Sequence, residues 1–204
     1  MKVDKVDISK TLMACGLQLN LHDFENDFGT PYVGINDIFG IHHVHDWYFG
    51  YENESGYSGT RRQFYADMGE MISFFNQYIA ERSIKEFIVA PFHKVRQFEF
   101  IDEDCDIYQE IKLFLMSHNV RSNSHAGIKL SIEETNLFEM LFEGAFRGVS
   151  LLSLFFPETG TLISPSHHFG VPFFTARPCV EKKAIKLLLN SYPNLKFYEK
   201  DLFE

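Results

Sequence analysis

Apolar residues recur at three- and four-residue intervals at Phe64, Met68, Met71, Ile72, Phe75 and Ile79, which predicts an amphipathic helix over about 61–82, opened by Thr60 and Gln63 as a capping box. The same period sets Ile107, Ile111, Phe114 and Leu115 on one face of a helix over about 105–118. It also sets Leu137, Met140 and Leu141 on a helix that Ser131 and Glu134 open as a second capping box and that runs to about Phe146. Pro178 starts a further helix through about Ser191, and residues 8–17 suit a short one. Elsewhere the pattern shortens to alternation or to brief apolar runs, so 86–92, 95–101, 127–132, 149–156, 161–163, 170–175 and 195–200 read as strands. Pro157-Glu158-Thr159-Gly160 is a hairpin turn, and Pro172 marks an edge strand or a bulge.

Hairpins mixed with strand-helix-strand units predict an α+β fold, with a mixed, largely antiparallel sheet packed by about four helices. The 204 residues suit a single compact domain, with residues 1–60 as an irregular or strand-like N-terminal part and 61–204 as the helix and strand core. Phenylalanine is abundant, 22 in all, and sits mostly in the periodic segments, so it is read as core rather than as a stacking platform for bases.

Charge changes this picture at the N-terminal end. Residues 1–60 carry three lysines, no arginine and nine carboxylates, a net of −6 out of −9 for the whole chain. Aromatic residues are interleaved with these acids, most densely where Asp46, Glu52 and Glu54 flank Trp47, Tyr48 and Tyr51, with Asp37 upstream. Acidic groups around aromatic anchors suit a surface that meets a basic protein, because the aromatics supply burial and the field steers the encounter. With a pI near 5.5 and no basic cluster larger than Arg61-Arg62 or Lys182-Lys183, nucleic acid is not an expected ligand. No apolar run is long enough for a membrane span, and Asp4, Lys5, Asp7 and Lys10 interrupt any signal-like core. Three dispersed cysteines, Cys15, Cys105 and Cys179, indicate neither a disulfide framework nor a thiolate metal site, which suits a cytoplasmic protein.

Several spacings carry possible chemistry. His42-His43-Val44-His45-Asp46 would place His43 and His45 on one side of an extended segment and His42 and Asp46 on the other, as two ligands of a metal require. Further ligands would come from His167, His168, His93 or a carboxylate distant in sequence. Cys179 follows Pro178 at a helix start, where a thiol can become a nucleophile, but no motif supplies its partners. The acids from Asp102 to Asp106 lack the glycine and the terminal glutamate of a calcium loop and read as helix capping. The glycine- and hydroxyl-rich approach to Arg61-Arg62 resembles no complete phosphate-binding loop, and GxSxG and HExxH are absent.

The expectation from sequence is therefore a non-catalytic protein that binds a basic protein partner, of the kind that inhibits or neutralises a toxin or nuclease, through Asp37, Asp46, Trp47, Tyr48, Tyr51, Glu52 and Glu54, without a cofactor. The alternative is a metal-dependent or phosphate-handling enzyme built on His42, His43 and His45 together with His167 and His168.

Overall fold

A computed structural model describes residues 4–17, 37–45, 61–90, 106–119, 126–133, 135–147, 152–166 and 169–201. The chain runs β1 (Asp4–Asp7), α1 (Ile8–Ala14), β2 (Asp37–His43), α2 (Arg61–Glu81), β3 (Glu86–Ala90), α3 (Asp106–Ser117), β4 (Ala126–Ser131), α4 (Thr135–Phe146), β5 (Ser153–Phe156), β6 (Thr161–Ile163), β7 (Gly170–Thr175), α5 (Pro178–Leu188) and β8 (Leu195–Asp201). The strands form one eight-stranded sheet in the order β1-β4-β3-β5-β6-β7-β2-β8. Every described pairing is antiparallel. The architecture is the α+β arrangement expected, with five helices described rather than about four.

Alternation along the central strands explains why so many read as unbroken apolar runs. Phe87 and Val89, Leu154 and Phe156, Ile163, Val171 and Phe173 turn toward α2, α4 and α5 and form the main core with Phe64, Phe75, Tyr78 and Phe142. Their neighbours Ile88, Ala90, Phe155, Leu162 and Phe174 turn to the other face, where Ile8, Leu12 and Leu17 cover them. Successive strand side chains point to opposite faces, so a strand buried on both sides needs apolar residues at every position. Asp7 starts α1 by accepting a hydrogen bond from Lys10 N–H at 3.2 Å, and Ile8 and Leu12 pack this short helix on the second face.

Two local expectations change. Pro172 lies on an interior strand, between β6 and β2, and not on an edge. Its carbonyl accepts from Ser164 N–H at 3.2 Å, just past the end of β6 at Ile163. In an antiparallel strand the N and O of one residue face the same neighbour, so the missing N–H costs no bond of the β6 ladder. Ser131 ends β4 instead of capping a helix: its hydroxyl accepts from Glu133 N–H at 3.3 Å, a local turn, and α4 begins at Thr135. The expected strand at 95–101 and the expected Thr60 cap fall outside the described residues.

A candidate metal centre between β2 and α2

Three elements meet at the C-terminal end of β2. The strand is held on one side by β7 and on the other by β8, and its end is pinned by His43 N–H donating to the Phe169 carbonyl at 3.0 Å and Val44 N–H donating to the Asn194 carbonyl at 2.8 Å. The extended backbone directs His43 inward against the first turns of α2, while His42 lies on the opposite face with its ring 5.9 Å from that of Tyr198. A bend at Val44-His45 then returns His45 to the side of His43, and their rings stand 5.0 Å apart. His43 and His45 therefore share a side and His42 faces away as expected, but through a bend and not through extension to His45, and Asp46 lies outside the described residues.

The third member comes from α2. Asp67 follows Phe64 and precedes Met68 and Met71, all buried, so its carboxylate sits beside the core stripe and is only 3% exposed. One ligand atom each from His43, His45 and Asp67 lies within 4.8 Å of the other two. Asp67 Oδ2 is 2.8 Å from His45 Nδ1 and 3.7 Å from His43 Nδ1. Donors bound to a central ion at zinc-like lengths stand about 3.4 Å apart in a tetrahedron.

Both buried members have outer partners. Asp67 Oδ1 accepts from Gln63 Nε2 at 2.6 Å, and His43 Nε2 faces Glu70 Oε2 at 3.4 Å. Glu70 Oε2 also accepts from Asn194 Nδ2 at 3.0 Å. Ligating histidines commonly donate their second N–H to a carboxylate, which fixes ring orientation and tautomer. Burial lowers the His43 pKa from its ordinary value, against the opposing pull of Asp67 and Glu70, so the imidazole is favoured in the neutral form that a metal requires.

The same groups close a hydrogen-bonded chain. His45 N–H donates to His43 Nδ1 at 3.1 Å, and the Nδ1–H of His45 donates to Asp67. Loading needs both hydrogens to leave the centre: the main-chain N–H must turn aside, and the His45 proton must pass to Nε2 through solvent, which its half-exposed ring permits.

His167 and His168 lie outside the described residues, as does His93. Asp46, Trp47, Tyr48, Tyr51, Glu52 and Glu54 also lie outside the described residues. Asp37 opens β2, its backbone opposite Asp201 of β8. Cys179 is the second residue of α5 and exposed, and Cys15 is half-buried. Asp67, Glu70 and Gln63 were not anticipated; their signal is the polar series 63, 67, 70 beside the core stripe of α2, where a carboxylate falls between core positions.

Among the described residues no helix is long and apolar enough to cross a membrane. Comparison with protein-family models, curated proteins and solved structures gives no match.

Proposed function

We propose that the protein is a metal-dependent protein that holds one divalent transition-metal ion of the zinc class through His43, His45 and Asp67. The supporting observation is the convergence of these three donors within 4.8 Å, with the two buried ones each backed by an outer partner. Two imidazoles and one carboxylate make a donor set suited to zinc or iron rather than calcium or magnesium, which take oxygen ligands. Among the described residues three protein ligands converge, the number found in catalytic zinc sites, where the fourth position takes water or substrate, and the enzyme reading is proposed on that count. In that role the ion supplies Lewis acidity, Asp67 contributes its negative charge, and His43 and His45 hold the geometry from a strand end and the bend that follows it.

Elemental analysis of protein purified without an affinity tag, with cobalt titration of the stripped protein, tests the reading. Stoichiometric zinc, iron or manganese, and a cobalt spectrum abolished by His45→Ala, are expected. Metal-free protein with no cobalt affinity would overturn it.

The protein-binding reading rests on a different observation, the net charge of −6 in residues 1–60. It predicts capture of a basic protein from the native host. Glu52→Lys with Glu54→Lys should slow association and flatten its salt dependence, and Trp47→Ala should raise the dissociation rate with a loss of about 2 kcal/mol or more. Unchanged rates in both variants would end it.

A further inference from the structure

Glu70 lies three residues after Asp67 on α2, so both carboxylates face β2 from successive turns. They meet His43 on opposite nitrogens: Asp67 Oδ2 is 3.7 Å from Nδ1, and Glu70 Oε2 is 3.4 Å from Nε2. A main-chain N–H can only donate, so the 3.1 Å contact from His45 N–H requires a lone pair on His43 Nδ1. In the neutral ring the proton then sits on Nε2 and points at Glu70. We infer that Glu70 is the positioning carboxylate of the centre: with His45 N–H it favours the Nε2–H tautomer of His43, and once that N–H turns aside Glu70 keeps the proton on Nε2 and presents Nδ1, the nitrogen on the Asp67 side, as the ligand atom. This rests on the metal-binding reading above and adds to it the choice of nitrogen and the group that makes the choice.

Glu70 is itself placed by the loop that leads into β8. Asn194 uses both ends on this region: its side-chain Nδ2 donates to Glu70 Oε2 at 3.0 Å, and its carbonyl accepts from Val44 N–H at 2.8 Å. One residue therefore registers the carboxylate on α2 against the strand end that carries His43. The His43 ring, 2% exposed and edge-on to Phe169 at 6.2 Å between centroids, has little freedom to rotate away. In such a packed site, the hydrogen bond on one nitrogen decides which of the two is offered to a metal.

The test combines long-range proton–nitrogen correlation spectra of histidine-labelled apo protein with cobalt titration against a competing chelator. Wild-type protein should show His43 as the Nε2–H tautomer. Glu70→Ala should weaken cobalt binding about 10- to 100-fold although His45 N–H still favours the Nε2–H tautomer in the apo protein, and Glu70→Gln, which keeps a carbonyl acceptor, should recover most of the affinity. Asn194→Ala should fall between them. Apo melting temperatures separate this effect from loss of fold; should Glu70→Ala melt early, the comparison of Glu70→Gln and Asn194→Ala with wild type decides. A His43 proton on Nδ1, or folded variants that all bind cobalt within about twofold of wild type, would overturn the inference while leaving the metal reading in place. A wild-type protein without cobalt affinity would instead fail the metal reading itself, and the metal role of Glu70 with it.

Discussion

His45 Nδ1 lies 2.8 Å from Asp67 Oδ2, joining a half-exposed ring to a carboxylate that is almost wholly buried. A carboxylate taken out of water needs such partners, and here Gln63 holds the second oxygen at 2.6 Å. Asp67→Asn keeps the shape, removes the charge and puts an amide where a ligand oxygen or acceptor stood. Cobalt affinity should fall by about 100-fold or more, and the apo protein should lose about 1–3 kcal/mol of stability from the mispaired amide. Chelator competition and urea unfolding check the two effects separately. Cobalt binding equal to wild type would remove Asp67 from the ligand set.

Local patterning made most elements legible. Three-residue β6 and six-residue β7 were readable from the apolar runs around Pro157–Gly160 and Pro172, and α2 from six apolar positions at helical spacing. β1 was not, because Asp-Lys-Val-Asp on an exposed edge has no apolar period and is a strand only through its pairing with β4. The site was half legible for the same reason. His43 and His45 carry a local spacing, whereas Asp67 and Glu70 enter only when α2 packs across the end of β2, a relation between residues more than 20 apart that no local period encodes.

Phe75 is fully buried where three elements meet: its ring is 4.9 Å from Phe142 of α4 and stacks on Phe173 of β7 at 5.8 Å, with Tyr78 one turn along. Those neighbours are held by their own packing and cannot close the space left by a smaller residue. Phe75→Ala should cost about 3–5 kcal/mol in a two-state urea experiment. A loss below about 1 kcal/mol would mean that the α2 face is not the centre of the core.

Glu181, on the first turn of α5, is fully buried and accepts from Tyr78 Oη at 2.7 Å and Arg82 Nη2 at 2.6 Å. It joins α5 to α2, and burial together with the carboxylate raises the Tyr78 pKa. Only the carboxylate of this pair is fully buried, the Arg82 side chain being 27% exposed, so removing Glu181 leaves Tyr78 Oη without its acceptor and the guanidinium partly in reach of water. Glu181→Ala should therefore destabilise by about 1–3 kcal/mol, and Glu181→Ala combined with Arg82→Met should restore part of the loss. A double variant no more stable than Glu181→Ala in urea would show that the guanidinium is not stranded.

Tyr198 of β8 crosses directly over Gly40 of β2, its register partner. A Cβ at position 40 would stand 2.5 Å from the Tyr198 ring and 2.5 Å from the Val171 carbonyl oxygen, so this approach needs glycine. Gly40→Ala should cost about 1–3 kcal/mol, because the obstacle on one side is backbone and cannot step aside. The same closeness buries the phenol and pushes its pKa from 10.0 up to about 12. For an acid whose folded pKa is raised, the unfolded chain releases its proton first. The contribution to stability is therefore whole below about pH 10 and is lost as the pH rises from there through about 12. Urea midpoints measured across this range should fall for wild type, and the fall should be smaller for Tyr198→Phe, which has no proton to release. Parallel declines in the two proteins would show that Tyr198 ionises in the folded state as freely as in the unfolded chain, and that its packing on Gly40 does not shield it.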